Sequence, residues 1–191
     1  MKHLIPILAV VSLFFVPGKP EPPIEELIKA TAYIRNDTGV ASGFVSKSIK
    51  TDTGYTHTIV SAAHAMLANG QEDPVLDVAF TVVHSPTAAD AMEASDRKPL
   101  LGERLYSCGH PLGIHVPIVA EGFMCKYDTD EPGCFWLSVP AASGSSGSPV
   151  MDESGKVVGI VVAVMICPYD NLAFCVGFWD LAPDMKAGIL P

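Results

Sequence analysis

From Thr31 onward the chain alternates short apolar or β-branched runs with polar, turn-forming clusters. The runs are "TAYIRN", "GVASGFVSK", "YTHTIVSA", "VLDVAFTVV", "RLYSCG", "PIVAEGFMCKY", "CFWLSVP", "GSPVMD", "KVVGIVVAVM" and "AFCVGFWDL". Between them stand "DTG", "KTDTG", "DEPG" and "DESG". Gly and Asp supply the backbone conformations that turns need, and Pro is barred from central strands, so the pattern predicts many short antiparallel strands. Short helices are predicted only at 24–29, 62–68 and "APDMKAG" (182–188). Residues 85–101, rich in alanine and charge, read as a connection. The pattern therefore predicts an all-β protein in two subdomains, 31–84 and 102–191, of sandwich or barrel type.

Composition adds bounds to this picture. The chain has 191 residues, of which 49% are apolar and 17% charged, enough to bury a core. A net charge of −9 argues against nucleic acid or an anionic lipid surface as the main partner. Before the strands, Met1-Lys2-His3 precedes the uncharged run "LIPILAVVSLFFV" and then "PGKPEPP". Thirteen apolar residues fall short of the roughly 20 that cross a bilayer. Residues 1–18 read as a secretory leader, or as a membrane attachment if retained, with 19–30 as linker and short helix. The folded part is expected outside the cytoplasm. The five cysteines suit that compartment, and Cys125–Cys134 and Cys167–Cys175 are expected to clip hairpins. No cysteine pair has the spacing of a zinc knuckle, so neither metal nor cofactor is expected.

Chemistry concentrates in three stretches. In "SGSSGSPVMDESGKVVGIVV" (143–162), Ser146 stands between glycines at 144 and 147, which let the backbone turn sharply and aim consecutive amides into one hollow. Ser146 is thus a candidate nucleophile, with the amides of Gly144 and Ser146 as oxyanion donors. In "THTIVSAAHAM", His64 follows small residues at the exit of a strand, where a neutral imidazole can enter a cleft as a base. In "PVLDVAFTVV", Asp77 interrupts an apolar strand, and a carboxylate there requires a hydrogen-bonding partner such as an imidazole. Asp73 and Asp90, in turn-like stretches, are weaker candidates, and the other histidines read as structural.

Taken in order, strand-end His64, Asp77 and the Gly-x-Ser-Gly loop before a hairpin resemble the chymotrypsin-like (trypsin-fold) serine peptidases, above all the short bacterial and HtrA-type branch. "GERLYSCGHPLG" is similar to the segment that opens the second barrel of that family. The resemblance runs from about residue 32 to 177. It implies two six-stranded antiparallel barrels with the active site in the cleft between them. It also implies catalysis by His64, Asp77 and Ser146, an oxyanion hole from Gly144 and Ser146, and a polypeptide substrate; with fourteen residues after Gly177, the peptide-binding domain that many HtrA-type members carry downstream is not expected. The primary pocket would be lined near Pro140 and by Val162, Ala163 and Val164, with Ala173 opposite. The absence of an acid there and Val164 in place of a glycine imply small or medium aliphatic residues before the scissile bond.

The sequence also departs from the family. Twelve residues separate His64 from Asp77, which implies a first barrel shortened by a hairpin. Ser148 replaces a second glycine. Ser145 replaces the aspartate that, in digestive relatives, pairs with a newly cut amino terminus, so activation by cleavage is not expected. Two other readings fit the same pattern: a trypsin-fold binding module without catalysis, and an esterase using the same site.

Overall fold

Helix α1 (Ile24–Ala30) carries Glu25 and Glu26 in its first turn and Lys29 in its last, charges that complement the helix dipole. It buries Leu27 and Ala30 and hands the chain to the first sheet. In this computed structural model, which describes residues 21–36, 39–66, 70–73, 75–166 and 171–191, that sheet holds five antiparallel strands. They are β1 (Thr31–Asn36), β2 (Gly39–Thr51), β3 (Gly54–Ser61), β4 (Gln71–Glu72) and β5 (Ala79–Ser85), in the order β1-β2-β3-β5-β4. The sheet is open, in line with a first barrel short of a hairpin.

The second half closes fully. Strands β6 (Arg104–Gly109), β7 (Ile118–Tyr127), β8 (Cys134–Leu137), β9 (Pro149–Asp152), β10 (Val157–Ile166) and β11 (Asn171–Gly177) form a barrel in the order β10-β11-β8-β7-β6-β9. Helix α2 (Pro183–Ile189) packs back on the first sheet, burying Met185 and Ile189. The protein is all-β in the chymotrypsin-like manner, as the strand pattern and the family resemblance implied. Two elements differ from expectation. The helix expected at 62–68 is a single 3-10 turn, Ala63–Ala65, and 67–69 lie outside the described residues. The apolar run around Asp77 enters the sheet only at Ala79, so Asp77 lies in a bend before β5 and not within a strand.

Alternation along the strands builds two cores. Leu105, Met124, Phe135, Leu137, Val150, Val158 and Val161 fill the barrel interior. The opposite faces of the same strands supply Tyr106, Cys108, Met151, Val157 and Ile160, which pack with Phe44 and Val60 of the first sheet and with Leu27 and Met185 of the helices. Each fully buried large side chain contributes roughly 1.5–3 kcal/mol, so this shared second core is what holds the halves in register.

The disulfide expectation is not met. Cys125, Cys134 and Cys175 carry free thiols, as does Cys108; Cys167 lies outside the described residues. Cys125 sits at an irregularity in the β7–β8 register and faces solvent, whereas Cys134 points into the core, so the two cannot meet across the hairpin. Burial, with Glu131, Asp128 and Asp180 nearby, pushes the Cys134 thiol up to about 12.

The connection between the halves is pinned to the barrel. Val157 donates to the Glu93 carbonyl at 2.9 Å, and Ser95 donates to the Val157 carbonyl at 2.8 Å. Arg97 bonds Asp152 Oδ2 at 2.8 Å and Glu103 through both its terminal nitrogens. Burial pushes the Asp152 carboxyl up, but hydrogen bonds from Ser154, Lys156 and Arg97 outweigh it and hold the group below the usual aspartate value. A carboxylate with a depressed folded pKa stabilises the fold above its unfolded value of about 3.9 and loses that contribution as pH falls through the folded value. Asp152→Asn is therefore expected to lower stability by about 2 kcal/mol at neutral pH. The gap from the parent should narrow as pH drops from about 5 toward 2, followed by denaturant unfolding. A gap that stays constant with pH contradicts this.

Candidate active site

Small residues bring His64 out of the sheet. After β3, buried Ala62 and the turn Ala63–Ala65 swing the imidazole into the space between the halves. The bend at 75–77 comes to meet it. The Asp73 carboxylate accepts from the amides of Val75 and Leu76, both at 2.9 Å, and from Ala182 N–H at 2.9 Å. Burial raises the Asp73 carboxyl, and these three amides overcome it to leave the group below its ordinary value. The bend that results presents Asp77 to His64 twice. Asp77 Oδ1 accepts the His64 backbone N–H at 2.9 Å, and Oδ2 lies 2.5 Å from His64 Nδ1. The Asp77 carbonyl takes Ala63 N–H at 3.3 Å. Among its described residues, the twelve-residue connection holds only the rest of the turn at Ala63–Ala65, the two-residue strand β4 and the bend before Asp77.

An ionised carboxylate only accepts, so Nδ1 of His64 bears the proton and Nε2 keeps its lone pair. That lone pair faces Ser146 Oγ at 3.0 Å. His64 and Asp77 are 51% and 36% exposed at the side chain, which leaves one side of the cluster open to an incoming molecule.

The serine loop owes its shape to two glycines. Gly144 (φ +93°) and Gly147 (φ +85°) occupy the left-handed region. Within the loop, Ser145 N–H bonds the Ala142 carbonyl, Gly147 N–H bonds the Val161 carbonyl at 2.7 Å, and Ser148 N–H bonds the Ser145 carbonyl. Among the described residues, the amides of Gly144 and Ser146 have no protein acceptor. They are free donors beside Ser146 Oγ, the arrangement required to stabilise a developing oxyanion.

Of the expected pocket residues, Val162 approaches Ser146 through its carbonyl, 3.4 Å from Oγ. Ala163 and Val164 follow an irregularity in the β10 register, with Val164 paired to Ala173. Pro140 instead lines a cavity of about 450 Å³ behind the serine loop, between Val139, Ala141, Ser145, Ser148 and the start of β7. Val162, Ala163 and Val164 do not line this cavity, so the structure does not unite the four residues around one hollow. Two roles escaped the sequence reading, which weighed Asp73 only as a weaker alternative to Asp77. Asp73 shapes the bend that carries Asp77, and Ser42 of β2 donates its N–H to the Ser146 carbonyl at 2.8 Å. No local signal marks Ser42, because the partners of its hydroxyl lie 102 and 68 positions away in the chain.

Comparison with known proteins places the chain in a family and matches its fold. A model of the trypsin-like peptidase domain matches residues 32–160, more than half of the sequence, and the chain belongs to that family. A serine endoprotease from Yersinia pestis has the same fold, with a TM-score of 0.61 and 17% identity over 81% of this chain and 60% of that one. This chain thus spans 60% of the Yersinia protein as solved. Rv3671c from M. tuberculosis H37Rv, an inactive-form mutant, matches with a TM-score of 0.63 and 18% identity over 90% of this chain and 89% of that one. The Rv3671c protease in its inactive form matches equally well, over 91% and 99%. These similarities are of fold. No curated protein matches the chain.

The serine loop tolerates no added side chain at Gly147. A Cβ there would lie 2.0 Å from the Ser42 carbonyl oxygen and 2.2 Å from Ser61 Oγ. Gly147→Ala is expected to cost about 2–4 kcal/mol and to lower the melting temperature by several degrees. A melting temperature equal to that of the parent contradicts the geometry.

Proposed function

We propose that this chain is a serine endopeptidase that cleaves polypeptides through an acyl-enzyme intermediate. The observation that carries the reading is the continuous chain of contacts from Asp77 through His64 to Ser146, beside two amides with no protein acceptor. In the first step Ser146 Oγ attacks the scissile carbonyl carbon while His64 Nε2 takes the hydroxyl proton. Asp77 holds the ring tautomer and stabilises the imidazolium. The Gly144 and Ser146 amides receive the negative charge that forms on the carbonyl oxygen. His64 then protonates the leaving amine, the C–N bond breaks, and Ser146 retains the acyl group. Water, deprotonated by His64, attacks the ester, and Ser146 leaves with the proton restored. No metal or cofactor enters any step.

Substrate choice follows from charge and size. Val162, whose carbonyl reaches Ser146 Oγ, is followed on β10 by Ala163 and Val164, and none of the three bears an acid, so a lysine or arginine before the scissile bond would find no counter-charge on this strand. Small or medium aliphatic residues are preferred, and backbone pairing of an extended substrate along β10 would add sequence-tolerant affinity. The site is proposed to act outside the cytoplasm. With the four described thiols free, the leader-like segment is what supports that location.

A fluorophosphonate reagent, which phosphonylates only an activated serine, tests the assignment. The parent should label at one position, Ser146→Ala not at all, and His64→Ala at a strongly reduced rate. Asp77→Asn should keep the fold and lower kcat on a peptide substrate by about 10⁴-fold. A folded parent that resists labelling, or labelling that survives in Ser146→Ala, overturns the peptidase reading. An ester turned over without any cleavage of casein would favour the esterase instead.

A further inference from the structure

We propose that Ser42, a residue of the first sheet, is the positioning residue that sets the oxyanion hole of the second half, acting through the backbone of Gly144; this rests on the peptidase reading of the site. Ser42 is fully buried and uses every polar atom it has. Its N–H donates to the Ser146 carbonyl at 2.8 Å. Its Oγ donates to the Gly144 carbonyl at 2.7 Å and accepts His110 N–H at 2.8 Å. Its carbonyl accepts Ser61 Oγ at 2.7 Å. One hydroxyl therefore joins the serine loop to the loop at 110–113.

That second loop restrains the neighbouring peptide. Leu112 N–H donates to the Ser143 carbonyl at 2.6 Å. A trans peptide points its C=O and its N–H in opposite directions, so the carbonyl of Ser143, once held by Leu112, turns the Gly144 N–H away from that loop. Leu112 reaches this position with φ +57°, the only left-handed non-glycine conformation among the described residues. The restraint has a purpose. Glycine crosses between backbone regions at little cost, so the 143–144 peptide could turn over and remove its N–H from the hole. Ser145 has no charge with which to anchor the loop from the inside. The Ser42 hydroxyl and the Leu112 amide hold the two successive carbonyls from the outside. A hydroxyl suits the central position because it gives one proton and accepts another bond at the same oxygen.

Ser42→Ala is the test, read on a peptide substrate. Loss of an oxyanion donor lowers kcat by about 10²–10³-fold, so the expected fall in kcat is about 10²-fold with KM within about threefold. A peptidyl aldehyde, which adds to Ser146 and places an oxyanion in the hole, should bind more weakly by a similar factor, while the corresponding peptide acid binds as before. Ser61→Ala removes an equally buried hydrogen bond from the same residue without freeing either loop. It should lower the melting temperature comparably and keep kcat within about threefold. In the absence of substrate, the amide resonance of Gly144 should move in Ser42→Ala. Should the alanine variant not fold, Ser42→Cys, close in size and a weaker hydrogen-bonding group, should fold and lose about tenfold in kcat. Parent-like kcat in the folded variant, an equal loss in Ser61→Ala, or an unmoved Gly144 resonance overturns the proposal. A parent without turnover defeats the peptidase reading, and the Gly144 resonance then still decides the positioning role.

Discussion

The contact on which the arrangement depends is the 3.0 Å approach of His64 Nε2 to Ser146 Oγ, between residues 82 positions apart. Each partner belongs to a different half of the molecule. The imidazole follows the end of β3, the central strand of an open five-stranded sheet, and the hydroxyl leaves a glycine-rich loop on a closed barrel. A hydrogen bond of this kind adds only about 1 kcal/mol net, far too little to draw two domains together. It exists because the halves are already in register. The core shared by Phe44, Val60, Ile160 and Met151 supplies that register, and Ser42 carries it to the serine loop through two bonds and to the loop at 110–113 through a third.

The shortened first half turns out to suit the site. The carboxylate arrives on a bend held by Asp73 and grips His64 at both the ring and the backbone. Two contacts to one histidine fix the ring orientation as well as its tautomer. The open sheet leaves His64 and Asp77 half exposed, so a bound polypeptide would itself exclude water from the reacting atoms.

Much of this was legible in the chain, and the reasons are local. The strand pattern follows from alternating apolar runs and turn residues, which need no long-range information. His64 and Ser146 announced themselves through small residues that free the backbone. Asp77 was identified by its charge in an apolar run, but its strand placement was wrong: the bend depends on Asp73 reaching Ala182, 109 residues away. Strand β4, two residues long, is too short to carry a periodicity. The cysteine pairs looked like hairpin clips because sequence spacing ignores the face on which each side chain stands. Ser42 was hidden for the same reason that it matters, since all its side-chain partners lie in the other half.

The central claim is that Ser146 forms a covalent bond to the acyl half of a substrate. Intact mass spectrometry of the protein, quenched in acid after brief mixing with a peptide p-nitrophenyl ester, tests it most directly. The account predicts a single adduct with the mass of the peptidyl group, mapped by fragmentation to Ser146. An adduct on another residue, or a folded protein that releases nitrophenol without ever carrying the acyl mass, would contradict it.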